Sequence, residues 1–175
     1  VLELQQGDPK RAQELLRHSL RLKPEFAPGY NNLGNALMAL ADMPGAEGAF
    51  RKAVELNPLF AAAHNNLAGV LLEMGRVAEA VAAARQAVEM ESENASALST
   101  FGAALGASGD AGQAIEILRR ALKRDPENAP AYSNLGNLLL ERRDLDGAES
   151  ACRMAVKLAP ELAAAHGNLA NALRD

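Results

Sequence analysis

The heptapeptide AYSNLGN at residues 131–137 has a near-copy at every 34-residue step along the chain. The copies read GYNNLGN at 29–35, AHNNLAG at 63–69, ALSTFGA at 97–103 and AHGNLAN at 165–171. Alanine and proline recur with the same period, at Ala12, Ala46, Ala80, Ala114, Ala148, Pro24, Pro58, Pro126 and Pro160. A fixed period in this range indicates a protein built from stacked structural repeats.

The apolar spacing inside one repeat is helical. Leu33, Leu37 and Leu40 follow i, i+4 and i+7, and the pattern resumes after the breaker ADMPG at 41–45. Aspartates placed before the second helix are expected to cap its first turn, at Asp8, Asp42, Asp110 and Asp144. Each repeat is therefore predicted to be a first helix (helix A), a short turn and a second helix (helix B).

The repeat at 27–60 resembles the tetratricopeptide repeat family, through Tyr30, Leu33, Gly34, Leu37, Ala46, Phe50, Ala53 and Pro58. The resemblance covers all 175 residues and implies an all-α, right-handed α-solenoid of 34-residue helix–turn–helix repeats. The predicted order is a partial repeat at 1–26 (mainly helix B), repeats at 27–60, 61–94, 95–128 and 129–162, and a partial repeat (helix A) at 163–175. Departures from the family pattern occur at His64, Ala84, Leu98, Cys152 and His166.

The resemblance also implies a concave face lined by helix A, and the asparagine-rich heptapeptide lies on helix A. The candidate groove residues are Asn31, Asn32, Asn35, Asn65, Asn66, Thr100, Asn134, Asn137, Asn168 and Asn171. Helix propensity does not explain them, because asparagine is a mediocre helix former. Either the amides satisfy each other and the backbone between repeats, or they bind the backbone of an extended peptide. The second interpretation is favoured, and the ladder resembles that in the superhelical arm of O-linked N-acetylglucosamine transferases.

Charge narrows the class of ligand. The net charge is −4, and no lysine or arginine occurs at 26–43, 58–75 or 92–111, or in the helix A segments at 129–141 and 163–173. Binding of a carboxylate clamp ligand, a phosphopeptide, a nucleic acid or a membrane surface is therefore not expected. Basic residues collect on helix B instead, at Arg119, Arg120, Lys123 and Arg124, and are interpreted as a solvated face.

The sequence predicts neither catalysis nor a cofactor or metal. It carries no phosphate-binding loop, no HExxH and no CxxC, and His64 and His166 are interpreted as packing residues. Cys152 is expected to be a buried, inert thiol. Without a signal or membrane segment, the default location is cytoplasmic. The predicted function is a non-catalytic protein–protein interaction module; the alternatives are the targeting arm of a larger enzyme, such as a glycosyltransferase, and a self-associating scaffold.

Apolar side chains near the two ends motivate the scaffold alternative. Leu169 and Leu173 form a stripe on the last predicted helix A, and Leu16 and Leu20 do so on the first helix B. Each repeat normally buries such a stripe on a neighbour. Head-to-tail contacts are therefore predicted between residues 163–173 of one chain and 9–22 of the next.

Overall fold

The computed structural model describes residues 8–174. Within this range the chain forms α-helices and no strand. The helices are α1 (Pro9–Leu22), α2 (Ala27–Ala39), α3 (Met43–Leu56), α4 (Ala61–Glu73), α5 (Val77–Met90), α6 (Ala95–Ala107), α7 (Ala111–Arg124), α8 (Ala129–Glu141), α9 (Leu145–Leu158) and α10 (Ala163–Arg174). The even-numbered helices are the predicted A helices, and the odd-numbered helices are the predicted B helices.

The predicted all-α fold of paired helices is confirmed. Each A helix from α2 to α8 packs against the B helix that follows it, as in α2 with α3 and α8 with α9. The chain divides into two compact units, unit 1 up to Met90 and unit 2 from Glu91. Inside unit 1, α2 also contacts α4; inside unit 2, α6 contacts α8 and α8 contacts α10. Residues 1–7 and 175 of the predicted terminal repeats lie outside the described residues, and the repeat boundaries stay a prediction.

Complementary side-chain sizes close the seam between helix A and helix B. A Cβ on Gly34 would meet the ring of Phe50, one on Gly102 would meet Leu118 and one on Gly136 would meet Sγ of Cys152. In the remaining complete pair, α4 with α5, the two residues at this place in the seam are both alanine. They are Ala68 and Ala84, and each is fully buried. The departures from the family pattern at Ala84 and Cys152 thus each face a small residue of helix A, Ala68 and Gly136 respectively.

The turn from helix A to helix B repeats the same backbone conformation. Its central residue has a positive φ in each case, at Ala41, Gly75, Gly109 and Arg143. The next N–H closes helix A by bonding five residues back, as from Asp110 to the Leu105 carbonyl at 3.0 Å. The carboxylate of the same Asp110 accepts from Gln113 N at 3.1 Å and caps helix B. The predicted caps are confirmed at Asp8, Asp42, Asp110 and Asp144.

The two histidines of the A helices, His64 and His166, differ in burial. His64 is 9% exposed, and its Nε2 donates to the Pro58 carbonyl at 3.0 Å. His166 makes the matching bond to the Pro160 carbonyl at 2.7 Å but is exposed, so its predicted core position is wrong. The reason is that, within the described residues, α10 is covered by α8 and α9 alone. Cys152 is buried as predicted, and burial raises the pKa of its thiol.

The basic residues of α7 lie at the surface. Arg119, Lys123 and Arg124 are exposed, which agrees with the predicted solvated face. Their acidic partner lies in the loop before α6, where Glu93 pairs with Arg124 and lies 3.6 Å from Arg120. The guanidinium of Arg120 also donates to the Ser92 carbonyl at 3.2 Å.

Candidate functional site

All ten predicted groove residues lie on A helices. Asn31 is buried, Asn137 and Asn171 are exposed, and the others are half-buried, namely Asn32, Asn35, Asn65, Asn66, Thr100, Asn134 and Asn168. Residues at the same position of successive 34-residue repeats form a column, and members of one column have different partners in the two units.

In unit 1 the amides bind each other across neighbouring A helices. Nδ2 of Asn66 on α4 donates to Oδ1 of Asn31 at 2.9 Å and to Oδ1 of Asn35 at 3.2 Å, both on α2. Since Asn31 is 7% exposed, its amide could not be buried at low cost without such a partner. For these three residues the structure favours the first interpretation, a bond between repeats.

A similar bond joins the A helices α8 and α10 of unit 2. Nδ2 of Asn168 donates to the Ser133 carbonyl at 3.1 Å, and Oγ of Ser133 lies 3.4 Å away. Asn168 stands in the column of Asn66, and Ser133 stands in the column of Asn31. Ser133 was not among the groove residues predicted from the sequence, although its position in the column of Asn31 could have identified it.

Asn134 stands in the same column as Asn66 and Asn168 but has different surroundings. It lines a cleft of about 260 Å³ between α8 and α6, together with Ala103, Gly106, Ala107, Asn137, Leu138 and Glu141. Ala103 occupies the column of Asn35, so α6 offers no amide to Asn134 at this position. Among residues 8–174 no hydrogen bond is made by the Asn134 side chain. Its amide therefore faces the cleft with donor and acceptor capacity to spare.

The floor of this cleft was missed by the sequence prediction. Gly106 stands in a column that otherwise holds Met38, Leu72 and Leu140. A Cβ on Gly106 would lie 3.2 Å from Cδ2 of Leu138, so the missing side chain lets Leu138 pack closely against α6 beside the cleft. The signal was a single small residue in a column of large ones.

The lining of the cleft carries a single formal charge, which is negative. It contains no lysine or arginine and one carboxylate, that of Glu141, which accepts a hydrogen bond from Nδ2 of Asn137 at 2.9 Å. Helices α2, α4, α6 and α8 likewise contain no lysine or arginine. An anionic ligand would find no countercharge on these helices.

The predicted self-association residues are unequally exposed. Leu20 is 7% exposed and packs on α2, where a Cβ on Gly29 would lie 2.9 Å from its Cδ2. It therefore belongs to the core of unit 1. Leu16 and Leu169 are half-buried, and Leu173 is 58% exposed. Contact of these residues with a second chain remains a prediction.

Two kinds of feature are absent from the described part of the chain. Across residues 8–174, no three His, Cys, Asp or Glu side chains are grouped so that they could hold a metal ion. In the same range no helix combines the length and the apolar character that crossing a membrane requires.

Several solved structures share this fold. TTC0263, a thermophilic tetratricopeptide protein of Thermus thermophilus, is 18% identical with a TM-score of 0.80, over 99% of this chain and 95% of that one. YrrB, described as a tetratricopeptide protein with an unusual peptide-binding site, is 23% identical with a TM-score of 0.71, over 93% of this chain and 84% of that one. MamA of Desulfovibrio magneticus RS-1 is 24% identical with a TM-score of 0.73, over 89% of this chain and 86% of that one.

Family membership follows from the sequence itself. No curated protein matches the chain significantly. A family model described as the C-terminal domain of Cilia and flagella-associated protein 70 matches residues 2–174. Tetratricopeptide domains typically act as non-catalytic modules that bind peptides or proteins. The helix pairs, their repeated seam and this match together show that the chain belongs to the family of the Cilia and flagella-associated protein 70 C-terminal domain, a tetratricopeptide repeat domain.

Proposed function

We propose that the protein is a non-catalytic interaction module whose A helices bind the backbone of an extended protein segment, with Asn134 as the principal contact. The observation that carries the proposal is the Asn134 amide, which faces the cleft between α6 and α8. Asn66 and Asn168, in the same column, instead bond to the neighbouring A helix. The proposed groove therefore centres on Asn134 and Asn137, and Asn32, Asn65, Thr100 and Asn171 stay predicted members of it.

An amide suits this role because it offers both a donor and an acceptor, as a peptide group does. Such contacts hold a backbone without requiring particular side chains. Because Glu141 is the one charged residue of the lining, the salt dependence of binding should not exceed that of a single exposed ion pair. The printed description of YrrB, which refers to a peptide-binding site, is in line with this use of the fold.

Two substitutions test the proposal from opposite directions. Asn134→Ala removes the amide and is expected to weaken binding by about 0.5–1.5 kcal/mol, the net contribution of one or two hydrogen bonds. Ala103→Asn keeps Asn134 but gives it the partner that Asn35 supplies in unit 1, so binding should weaken while stability is kept. The measurement is fluorescence anisotropy with nine-residue peptides selected on the wild-type protein from a random display library.

Asn168→Ala is the matched control, because it removes the bond to Ser133 rather than a residue of the cleft. It is expected to lower the thermal midpoint and leave peptide affinity unchanged. Equal affinity for wild type, Asn134→Ala and Ala103→Asn would sink the proposal, as would a wild-type protein that selects no peptide.

The self-associating scaffold is a second candidate, supported by the exposure of Leu173 on α10. We propose that Leu169 and Leu173 of one chain meet Leu16 of the next. Leu169→Glu with Leu173→Glu should abolish concentration-dependent association in sedimentation, and a wild-type chain that stays monomeric at high concentration would contradict it. The targeting arm of an O-linked N-acetylglucosamine transferase is the third candidate, and a glycosyltransferase region in the same reading frame would be its test.

A further inference from the structure

We propose that the cleft between α6 and α8 contains a subsite for a basic side chain, so that the bound segment carries an arginine or lysine at that position. The inference rests on the proposed function and names the ligand chemistry that this site selects. Three features support it: the volume of the cleft, the charge of Glu141 and the side chains that fill the equivalent position between α2 and α4.

Three small residues on one helix face line one side of the cleft. Ala103, Gly106 and Ala107 of α6 stand opposite Leu138 and Glu141 of α8, around a volume of about 260 Å³. At the matching position of unit 1 the column of Gly106 holds Met38, and Asn35 occupies the column of Ala103 and binds Asn66. Unit 2 therefore has room for a ligand side chain where unit 1 carries side chains of its own.

The charge comes from Glu141. It is the one ionisable residue of the lining, and its Oε1 accepts from Nδ2 of Asn137 at 2.9 Å. A carboxylate accepts several hydrogen bonds, so Oε2 can receive a guanidinium or ammonium group beside Asn137. The neighbouring Arg142 is directed elsewhere, since its Nη1 lies 3.7 Å from the position of a Cβ on Gly112 at the start of α7.

The two features fit one class of side chain. Arginine and lysine have an apolar stem and a charged end, and a stem lying on Ala103, Ala107 and Leu138 would bring the end to Glu141. An acidic side chain would be repelled by the Glu141 carboxylate, and an apolar one would add no partner to the hydrogen bond that Asn137 already donates to it.

The experiment is a selection from a random nine-residue peptide library displayed on phage. Wild-type protein, Glu141→Gln and Glu73→Gln are used in parallel, and the selected peptides are sequenced. Glu73 is the matched control because it stands in the column of Glu141 on α4, beside the filled position of unit 1. Glutamine can still accept from Asn137, so Glu141→Gln removes the charge while keeping the shape.

Wild type and Glu73→Gln are expected to enrich arginine and lysine at one position of the peptide. Glu141→Gln should still select peptides but without this enrichment, and it should bind individual wild-type-selected peptides about two- to fivefold more weakly, as for an exposed ion pair. Selected peptides without a basic preference, or with the same preference in Glu141→Gln, would overturn the subsite and leave the proposed function standing. Failure of the wild-type protein to select any peptide would overturn both.

Discussion

Gly34 and Gly48 lie in one helix pair, and the structure gives them opposite reasons to be glycine. Gly34 faces helix α3, where an added Cβ would stand 2.6 Å from Cδ1 of the fully buried Phe50. Gly48 is exposed on α3, and an added Cβ would meet no atom within 4 Å. The first glycine is required by packing, whereas the second only adds backbone freedom to the unfolded chain.

The same substitution should therefore have opposite signs at the two positions. Gly34→Ala is expected to lower the free energy of unfolding by about 1–3 kcal/mol, because a rigid aromatic ring must shift. Gly48→Ala should raise it by about 0.5–1 kcal/mol, the gain of alanine over glycine inside a helix. Urea denaturation followed by circular dichroism measures both, and a loss of stability in the two variants alike would contradict the assigned seam.

At the scale of the element, the turn between the paired helices is set by one residue with a positive φ. Gly75 and Gly109 adopt it at φ of 73° and 89°, but Ala41 and Arg143 adopt it at 59° and 62° despite their Cβ atoms. The left-handed region costs a non-glycine residue about 1 kcal/mol or more. Two of the four turns thus retain strain that the other two avoid.

Exchanging the residue types at these turns tests that assignment. Gly109→Ala is expected to lower the free energy of unfolding by about 1 kcal/mol through backbone strain, since its Cβ would meet no atom within 4 Å. Ala41→Gly should raise it, because relief of the strain exceeds the added freedom of the unfolded chain. The comparison uses thermal and urea unfolding, and the assignment would be rejected if Gly109→Ala left stability unchanged.

At the scale of the whole molecule, side chains join one helix pair to the next. Asn66 and Asn168 do so between A helices. Between B helices of unit 1 the link is ionic: Arg76 contacts Glu47 of α3 at 2.6 Å and Glu79 of α5 at 2.6 Å, and Arg51 contacts the same two carboxylates. Arg76 occupies the position at which the other turns have a capping aspartate. This turn therefore lacks an aspartate cap and instead has an ionic contact to the neighbouring helix pair.

The ionic link predicts a pH dependence. Hydrogen bonds from Arg51, and then from Arg76, hold the pKa of Glu47 below its ordinary value of 4.5. A carboxyl group with a lowered folded-state pKa stabilises the fold above its unfolded-state pKa, and this contribution is lost as the pH falls through the folded-state value. Glu47→Gln is therefore expected to lower the free energy of unfolding by about 1 kcal/mol at pH 7, because the side chain of Glu47 is only 14% exposed. Below pH 4.5 this loss of stability should become progressively smaller.

Urea unfolding of wild type and variant between pH 3 and pH 7 measures that difference, on the order of 1 kcal/mol at neutral pH. Glu55→Gln is the control, because Glu55 pairs with Lys52 at the surface and should change stability far less. A difference between wild type and Glu47→Gln that stayed constant down to pH 3 would show that the ionic link does not stabilise unit 1.

The local structure could be predicted from the sequence because it depends on residues close in the chain. The period of 34 residues locates the helices, and every helix B except α5 is capped by the aspartate before it through an N–H three residues later, as at Asp42 and Asp144. The small column of Gly34 and Gly102 predicts a close seam with the helix that follows directly. Burial of His166 could not be predicted in this way, because it depends on whether another helix covers α10.

What each asparagine does was decided only by the tertiary structure. Asn66 and Asn134 occupy the same column, and nothing in their own helices distinguishes them. Asn66 meets Asn31 and Asn35, while Asn134 faces a cleft because the helix opposite carries Ala103. The sequence by itself determined the repeated helix pair, since helix formation, capping and the seam rest on neighbours within one repeat. The tertiary structure decided which amides bind a neighbouring helix and which face the cleft, because a side-chain hydrogen bond needs a partner that only an adjacent repeat can supply.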